Sequence, residues 1–191
     1  DVHFSSSNVG LAVGWYYQWE GNSGLKLRTT DSGINWTNTL GEVPLTSVNF
    51  GDSLYGGCLG YYQDIWGRPF SKLYHSTNGG YGWYEQTFPR APWVGLEDIY
   101  FVDKDYGYAV GCPEKILHTT DGGSTWYEQT PGIYEKWPLG VEFFDYLNGF
   151  IVGSYGGIYK TTDGGNNWIK KNYWAQTKLN KVRYIDSSNI I

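Results

Sequence analysis

Thr119-Thr-Asp-Gly-Gly-Ser-Thr-Trp126 returns three more times with altered spelling, as Thr29-Thr-Asp-Ser-Gly-Ile-Asn-Trp36, Ser76-Thr-Asn-Gly-Gly-Tyr-Gly-Trp83 and Thr161-Thr-Asp-Gly-Gly-Asn-Asn-Trp168. Asp31, Asn78, Asp121 and Asp163 follow one another at steps of 47, 43 and 42 residues. That period suits one four-stranded blade of a radial β array. The motif has the chemistry of a hairpin turn. Its Asp or Asn can accept hydrogen bonds from backbone N–H groups, Gly33, Gly80, Gly123 and Gly165 can supply a positive φ, and Trp36, Trp83, Trp126 and Trp168 can anchor the turn on the blade. These residues are expected to be structural. The four Asp/Asn positions belong to separate repeats, which argues against shared use in catalysis or Ca²⁺ binding.

Working outward from the motif, each unit opens with a short alternating strand: Val2-His3-Phe4, Val48-Asn49-Phe50, Ile99-Tyr100-Phe101, Val141-Glu142-Phe143 and Val182-Arg183-Tyr184. Period two places the outer pair on one face and the middle residue on the other. A small-residue strand follows, as in Gly107-Tyr-Ala-Val-Gly111, where glycines permit close packing between sheets. A third strand runs into the motif and a fourth leaves through its Trp. The expected fold is all-β: a single β-propeller of four-stranded antiparallel blades. Its units fall at about 1-40, 45-88, 96-131 and 139-173, with a partial fifth at 179-191. Two opening strands at the two ends would duplicate rather than complement each other, so these units are expected to form part of a larger ring, a self-closed ring of four blades being the alternative.

Composition agrees. Aromatic residues make up 19% of the 191-residue chain and charged ones 17%, with 27 glycines, a balance that favours strands and turns over helices. A net charge of -5 offers no basic face for nucleic acid. No window approaches the roughly 20 apolar residues of a membrane-spanning helix, and the amino end lacks the pattern of a signal peptide. Cys58 and Cys112 are too few for a disulfide framework and lack zinc-site spacing, which leaves a single bridge or two half-buried thiols open.

The eight-residue motif resembles the Asp-box, or BNR repeat, of sialidases, sortilin-type receptors and several glycoside hydrolases. The whole unit, with its Gly-Tyr-Ala-Val-Gly strand and its Ile-Leu-His-Thr-Thr-Asp-Gly-Gly turn, is similar to the photosystem II assembly and stability factor propellers and their bacterial relatives. The resemblance covers all four units. It implies a ring of six to eight blades, an extracytoplasmic location in the periplasm, a lumen or at the cell surface, and a part in assembling a larger complex. It does not carry catalysis over, because the turn recurs irrespective of ligand.

In a four-stranded meander, the connections between second and third strands and those between blades share one end, opposite the motif turns. Two of the former are long, Trp15–Gly24 and Tyr61–Ser71, and both are rich in aromatic residues. With the inter-blade segments they nominate Trp15, Tyr17, Trp19, Tyr62, Trp66, Trp93, Tyr134 and Trp137 as stacking platforms, and Asp64 and Arg68 as polar readers. A polypeptide partner is expected there; the alternative is a glycan, bound or cleaved. A sialidase would need a cluster of arginines, but Arg28, Arg68, Arg90 and Arg183 show no such signature. A glycoside hydrolase would need paired carboxylates, for which Glu20, Glu42, Asp64 and Glu135 match no motif. His75 and His118, at equivalent third-strand positions, diverge radially and do not suggest a metal site. The expectation is a non-catalytic interaction scaffold that uses no cofactor and no metal.

Overall fold

A computed structural model describes residues 1–18, 21–41, 43–63, 66–88, 94–129, 137–171 and 177–184, with the backbone alone for 17, 18, 21, 22 and 69. Among the described residues, sixteen strands form four antiparallel sheets, each of four strands in sequential order. The first blade is β1 (Val2–Phe4), β2 (Gly10–Gln18), β3 (Gly21–Thr29) and β4 (Thr37–Gly41). The second is β5 (Leu45–Phe50), β6 (Gly56–Gln63), β7 (Pro69–Ser76) and β8 (Tyr84–Gln86). The third is β9 (Gly95–Phe101), β10 (Gly107–Cys112), β11 (Lys115–Thr119) and β12 (Tyr127–Gln129). The fourth is β13 (Pro138–Phe143), β14 (Gly149–Gly153), β15 (Ile158–Thr161) and β16 (Ile169–Lys171). The chain is all-β and propeller-bladed; the described residues contain one short 3₁₀ turn, Ser154–Gly156, and no α-helix.

The core lies between sheets. Leu11 and Val13 of the first blade pack on Val48, Phe50 and Cys58 of the second. Leu59 and Leu73 meet Ile99, Phe101 and Trp126 of the third. Tyr108, Val110 and Ile116 meet Val141, Phe143 and Trp168 of the fourth. Each blade therefore offers one apolar face forward and another back, and burial of these faces is the main favourable term in stacking. Val182 continues the series by packing on Phe150 and Val152. Glycine is required where sheets nearly touch: a Cβ on Gly57 would come within 2.7 Å of Ile99 Cδ1. Cys58 is buried and Cys112 half-buried, and both are free thiols. Burial pushes the Cys58 thiol up to about 12.

The opening strands are joined by a second device that the alternating pattern only partly foretold. Side chains of one blade accept hydrogen bonds from backbone N–H groups of the next. Ser47 Oγ accepts from Ile99 N at 3.4 Å, Asp98 Oδ2 from Val141 N at 3.0 Å, Asn49 Oδ1 from Phe101 N at 2.8 Å, and Glu142 Oε1 from Tyr184 N at 3.1 Å. These strands lie side by side without a shared ladder, so their N–H groups need such partners. Asp98, almost fully buried, also accepts from Ser47 Oγ at 2.8 Å and from Lys181 Nζ at 2.5 Å.

Candidate functional site

The four motif turns form a closed hydrogen-bond pattern. In the first, Thr29 Oγ1 donates to Asp31 Oδ1 at 2.7 Å and accepts from Gly33 N at 2.9 Å, Asn35 N donates to Asp31 Oδ1 at 2.8 Å, and Trp36 Nε1 donates to Gly33 O at 3.0 Å. The same bonds recur around Asn78, Gly80 and Trp83, and around Asp121, Gly123 and Trp126. Asp163 and Gly165 repeat the carboxylate part; the Trp168 indole N–H has no acceptor among the described residues. The four glycines have φ between 82° and 89°, the left-handed region that glycine enters freely. Each Trp meets the Phe closing its own blade's first strand edge-on, at centroid distances from 5.8 to 6.1 Å.

Electrostatics agree with a structural part for these turns. The Asp31 carboxyl is held below its usual range, first by the Asn35 backbone N–H and then by the Asn35 and Thr29 side chains. Asp163 is lowered chiefly by the Asn167 side chain and backbone. Burial pushes Asp121 upward, but bonds from Thr125 and Thr119 outweigh it and bring it down. A second set of four turns, tied to the motif within each blade, was not singled out in the sequence. Asp52, Asp103 and Asp145 each accept two backbone N–H bonds, and Ser6 does so in the first blade. The Phe-x-Asp-x-x-x-Gly spacing in three of these units is the signal that could have found them.

At the opposite end, the two long connections differ from the expectation of loops. β2 and β3 continue their ladder outward through Trp15↔Gly24, Tyr16↔Ser23, Tyr17↔Asn22 and Gln18↔Gly21, beyond the end of β4, whose last partner is Gly24↔Gly41. β6 and β7 likewise extend through Tyr61↔Ser71, Tyr62↔Phe70 and Gln63↔Pro69. Aromatic residues are strong strand formers, so a stretch rich in Trp and Tyr prolongs a hairpin. The third and fourth blades close after Gly111↔Lys115 and Val152↔Ile158.

The projecting hairpins carry much of the predicted aromatic set. Trp15 is 59% exposed and Trp66 71%, and the Arg68 guanidinium lies over the Trp66 ring at 4.4 Å. Tyr62 stacks on Phe70 at 5.3 Å with an interplanar angle of 18°, so this pair partly caps itself. Trp137, 44% exposed, sits beside Tyr155, 69% exposed, with centroids 6.5 Å apart, and Ser154 N donates to Trp137 O at 3.1 Å. Tyr155 was missed by sequence reasoning. It occupies the tight connection of the fourth blade at φ 59°, a costly conformation for an aromatic residue. Of the remaining candidates, Trp19, Asp64, Trp93 and Tyr134 lie outside the described residues, as does the Tyr17 side chain. The acids Glu20, Glu42 and Glu135 and the base Arg90 lie there too.

The other arginines occupy separate elements. Arg28 donates to Gly79 O at 2.8 Å and stacks on Tyr81 at 3.8 Å, and Arg183 pairs with Glu142 at 2.7 Å. His75 and His118 lie beside Tyr84 and Tyr127 in tilted pairs at 5.7 and 5.9 Å, and burial lowers both pKa values. Among the described residues no three His, Cys, Asp or Glu side chains group as metal ligands.

The blades superpose on solved propellers. Their fold is similar to that of YCF48. A structure described as YCF48 bound to D1 peptide matches with a TM-score of 0.67 at 17% identity, over 95% of this chain and 55% of that one. YCF48 from Cyanidioschyzon merolae gives 0.65 at 17% identity, over 96% and 59%. The chain thus spans a little over half the length of these proteins. A GH74 enzyme from Niastella koreensis gives only 0.38 at 12% identity, too slight a likeness to argue from. The sequence matches no known protein family and no curated protein.

Proposed function

We propose that this protein is a non-catalytic scaffold that binds a polypeptide through the blade end carrying the extended hairpins. The observation that carries the reading is the exposure of Trp15, Trp66, Trp137 and Tyr155 at that one end. Rigid aromatic side chains give a partner large contact area at low entropic cost. The extended β2–β3 and β6–β7 hairpins hold Trp15 and Trp66 more firmly than loops would. That a YCF48 propeller has been solved with a bound peptide supports a polypeptide over a sugar as the occupant. The proposal extends to the Asp-box character of the turns, to a setting outside the cytoplasm within a larger assembly, and to blade units that belong to a ring of six to eight, seven being the preferred count. Among the described residues no helix is long and apolar enough to cross a membrane.

The test is selection of random dodecapeptides on the immobilised chain, with Trp15→Ala/Trp66→Ala/Trp137→Ala as counter-target. Selected peptides should lose tenfold or more in affinity for the triple variant, which should unfold at nearly the parent temperature because the three rings are exposed. Equal binding to both proteins would remove the aromatic end as the site. Sugar release from xyloglucan, abolished by Asp64→Asn, would replace the scaffold with the hydrolase alternative.

A further inference from the structure

A cleft of about 340 Å³ opens between the first and second blades, lined by Lys26, Leu40, Val43, Leu45, Tyr74 and Trp83, with Glu85 also on its wall. One of its lining residues departs from the repeat. Lys26, Leu73, Ile116 and Ile158 each stand three places before the Thr or Ser that opens the motif. Leu73 and Ile116 are fully buried where their blades meet the next. At the first seam the same forward-facing position holds a cation, and the seam stays open around it. A lysine in place of a core aliphatic residue forfeits apolar contact and must keep its ammonium solvated or paired.

The Lys26 ammonium is placed for recognition. Nζ stands 5.3 Å from the centroid of the Tyr74 ring and 5.4 Å from that of Trp83. It forms no ion pair with any described residue, and Glu85, the acid among the described residues of the wall, is engaged by Lys72 at 2.9 Å. Leu40, an exposed apolar side chain, and Leu45 and Val43 supply a greasy wall beside it. A second, narrower hollow continues past Lys26 and Trp83 toward Arg28 and Tyr81. A cation that no described residue pairs, beside two aromatic rings and an aliphatic wall, is complementary to an anion with an apolar tail.

We propose that this cleft is a binding site for a small organic carboxylate, with Lys26 pairing the carboxylate and Tyr74, Trp83 and Leu40 enclosing its hydrocarbon part. None of Trp15, Trp66, Trp137 and Tyr155 lines this cleft, and the proposal does not depend on the reading given to them.

The test follows the Trp83 indole N–H resonance of the full chain during titration with hexanoate, hexanol or inorganic phosphate. Hexanoate should give a saturable shift, with hexanol and phosphate at least tenfold weaker. Lys26→Leu, which restores the side chain of Leu73, should weaken hexanoate tenfold or more while the protein unfolds at the same or a higher temperature. Lys26→Arg should retain binding, and Trp15→Ala/Trp66→Ala/Trp137→Ala should leave it unchanged. Hexanol binding as well as hexanoate, phosphate matching it, or undiminished binding by Lys26→Leu would each overturn the proposal.

Discussion

The seam between the first and second blades and the seam between the third and fourth are built from the same repeat positions, yet only one is closed. At the closed seam Ile116 is fully buried and Tyr108 stacks on Phe143 with centroids 3.7 Å apart at 9°. At the open seam Lys26 stands where Ile116 would, and the Trp83 ring that it faces is only half-buried, whereas Trp168 is almost fully buried. The difference shows how a repeat protein acquires a site. The frame of turns and strands is held constant, and one core side chain is exchanged for a polar one at a single interface. The same two blades carry the long aromatic hairpins, so both departures from the repeat fall in the first two of the four described blades.

Exchanging the two side chains should break the comparison most severely. Ile116→Lys puts an unpaired ammonium into a packed interface and should cost more than about 4 kcal/mol, read as loss of the urea transition or its collapse to low denaturant. A cost below about 1 kcal/mol would mean that the third seam can open as the first does.

The motif tryptophans should then rank the seams. Trp168→Ala removes a ring buried between two sheets and should destabilise by about 3 kcal/mol or more. Trp83→Ala, beside an existing cleft, should cost about 2 kcal/mol. Equal values from chemical denaturation would show that the cleft does not loosen its neighbours.

The smallest expected effect is the pH response of the turns, where the second blade has Asn78 and the others Asp31, Asp121 and Asp163. These carboxyls are lowered in the folded chain from an unfolded value of about 3.9. Their contribution is complete above that value and is lost as pH falls through the folded ones. Asp31→Asn/Asp121→Asn/Asp163→Asn keeps the acceptor, as Asn78 does for Gly82 N at 2.8 Å. It should therefore flatten the decline of stability with acid below about pH 4 and leave neutral stability almost unchanged. An unaltered acid midpoint would assign acid sensitivity to groups outside these turns.

Much of this protein was legible in its chain because its signals are local. Thr, Asp, Gly and Trp at fixed offsets close a turn with bonds reaching no more than four residues. Alternation within Val141-Glu142-Phe143 declares a strand whatever surrounds it. The all-β class, the four repeated blades and the aromatic wealth of two long connections follow from such patterns, whereas the ladders that make hairpins of those connections do not. Tertiary structure decided what depends on partners far apart in sequence. Asp98 and Asn49 read as ordinary strand polars until Val141 N and Phe101 N, 43 and 52 residues away, are brought to them. Tyr155 gains meaning only beside Trp137, across a blade. Lys26 is one cation in an alternating strand until stacking sets it against Tyr74 and Trp83 of the next sheet. Turn chemistry is written in neighbouring residues, whereas a seam is made by two sheets that the chain specifies separately, and its fit is settled only when their faces meet.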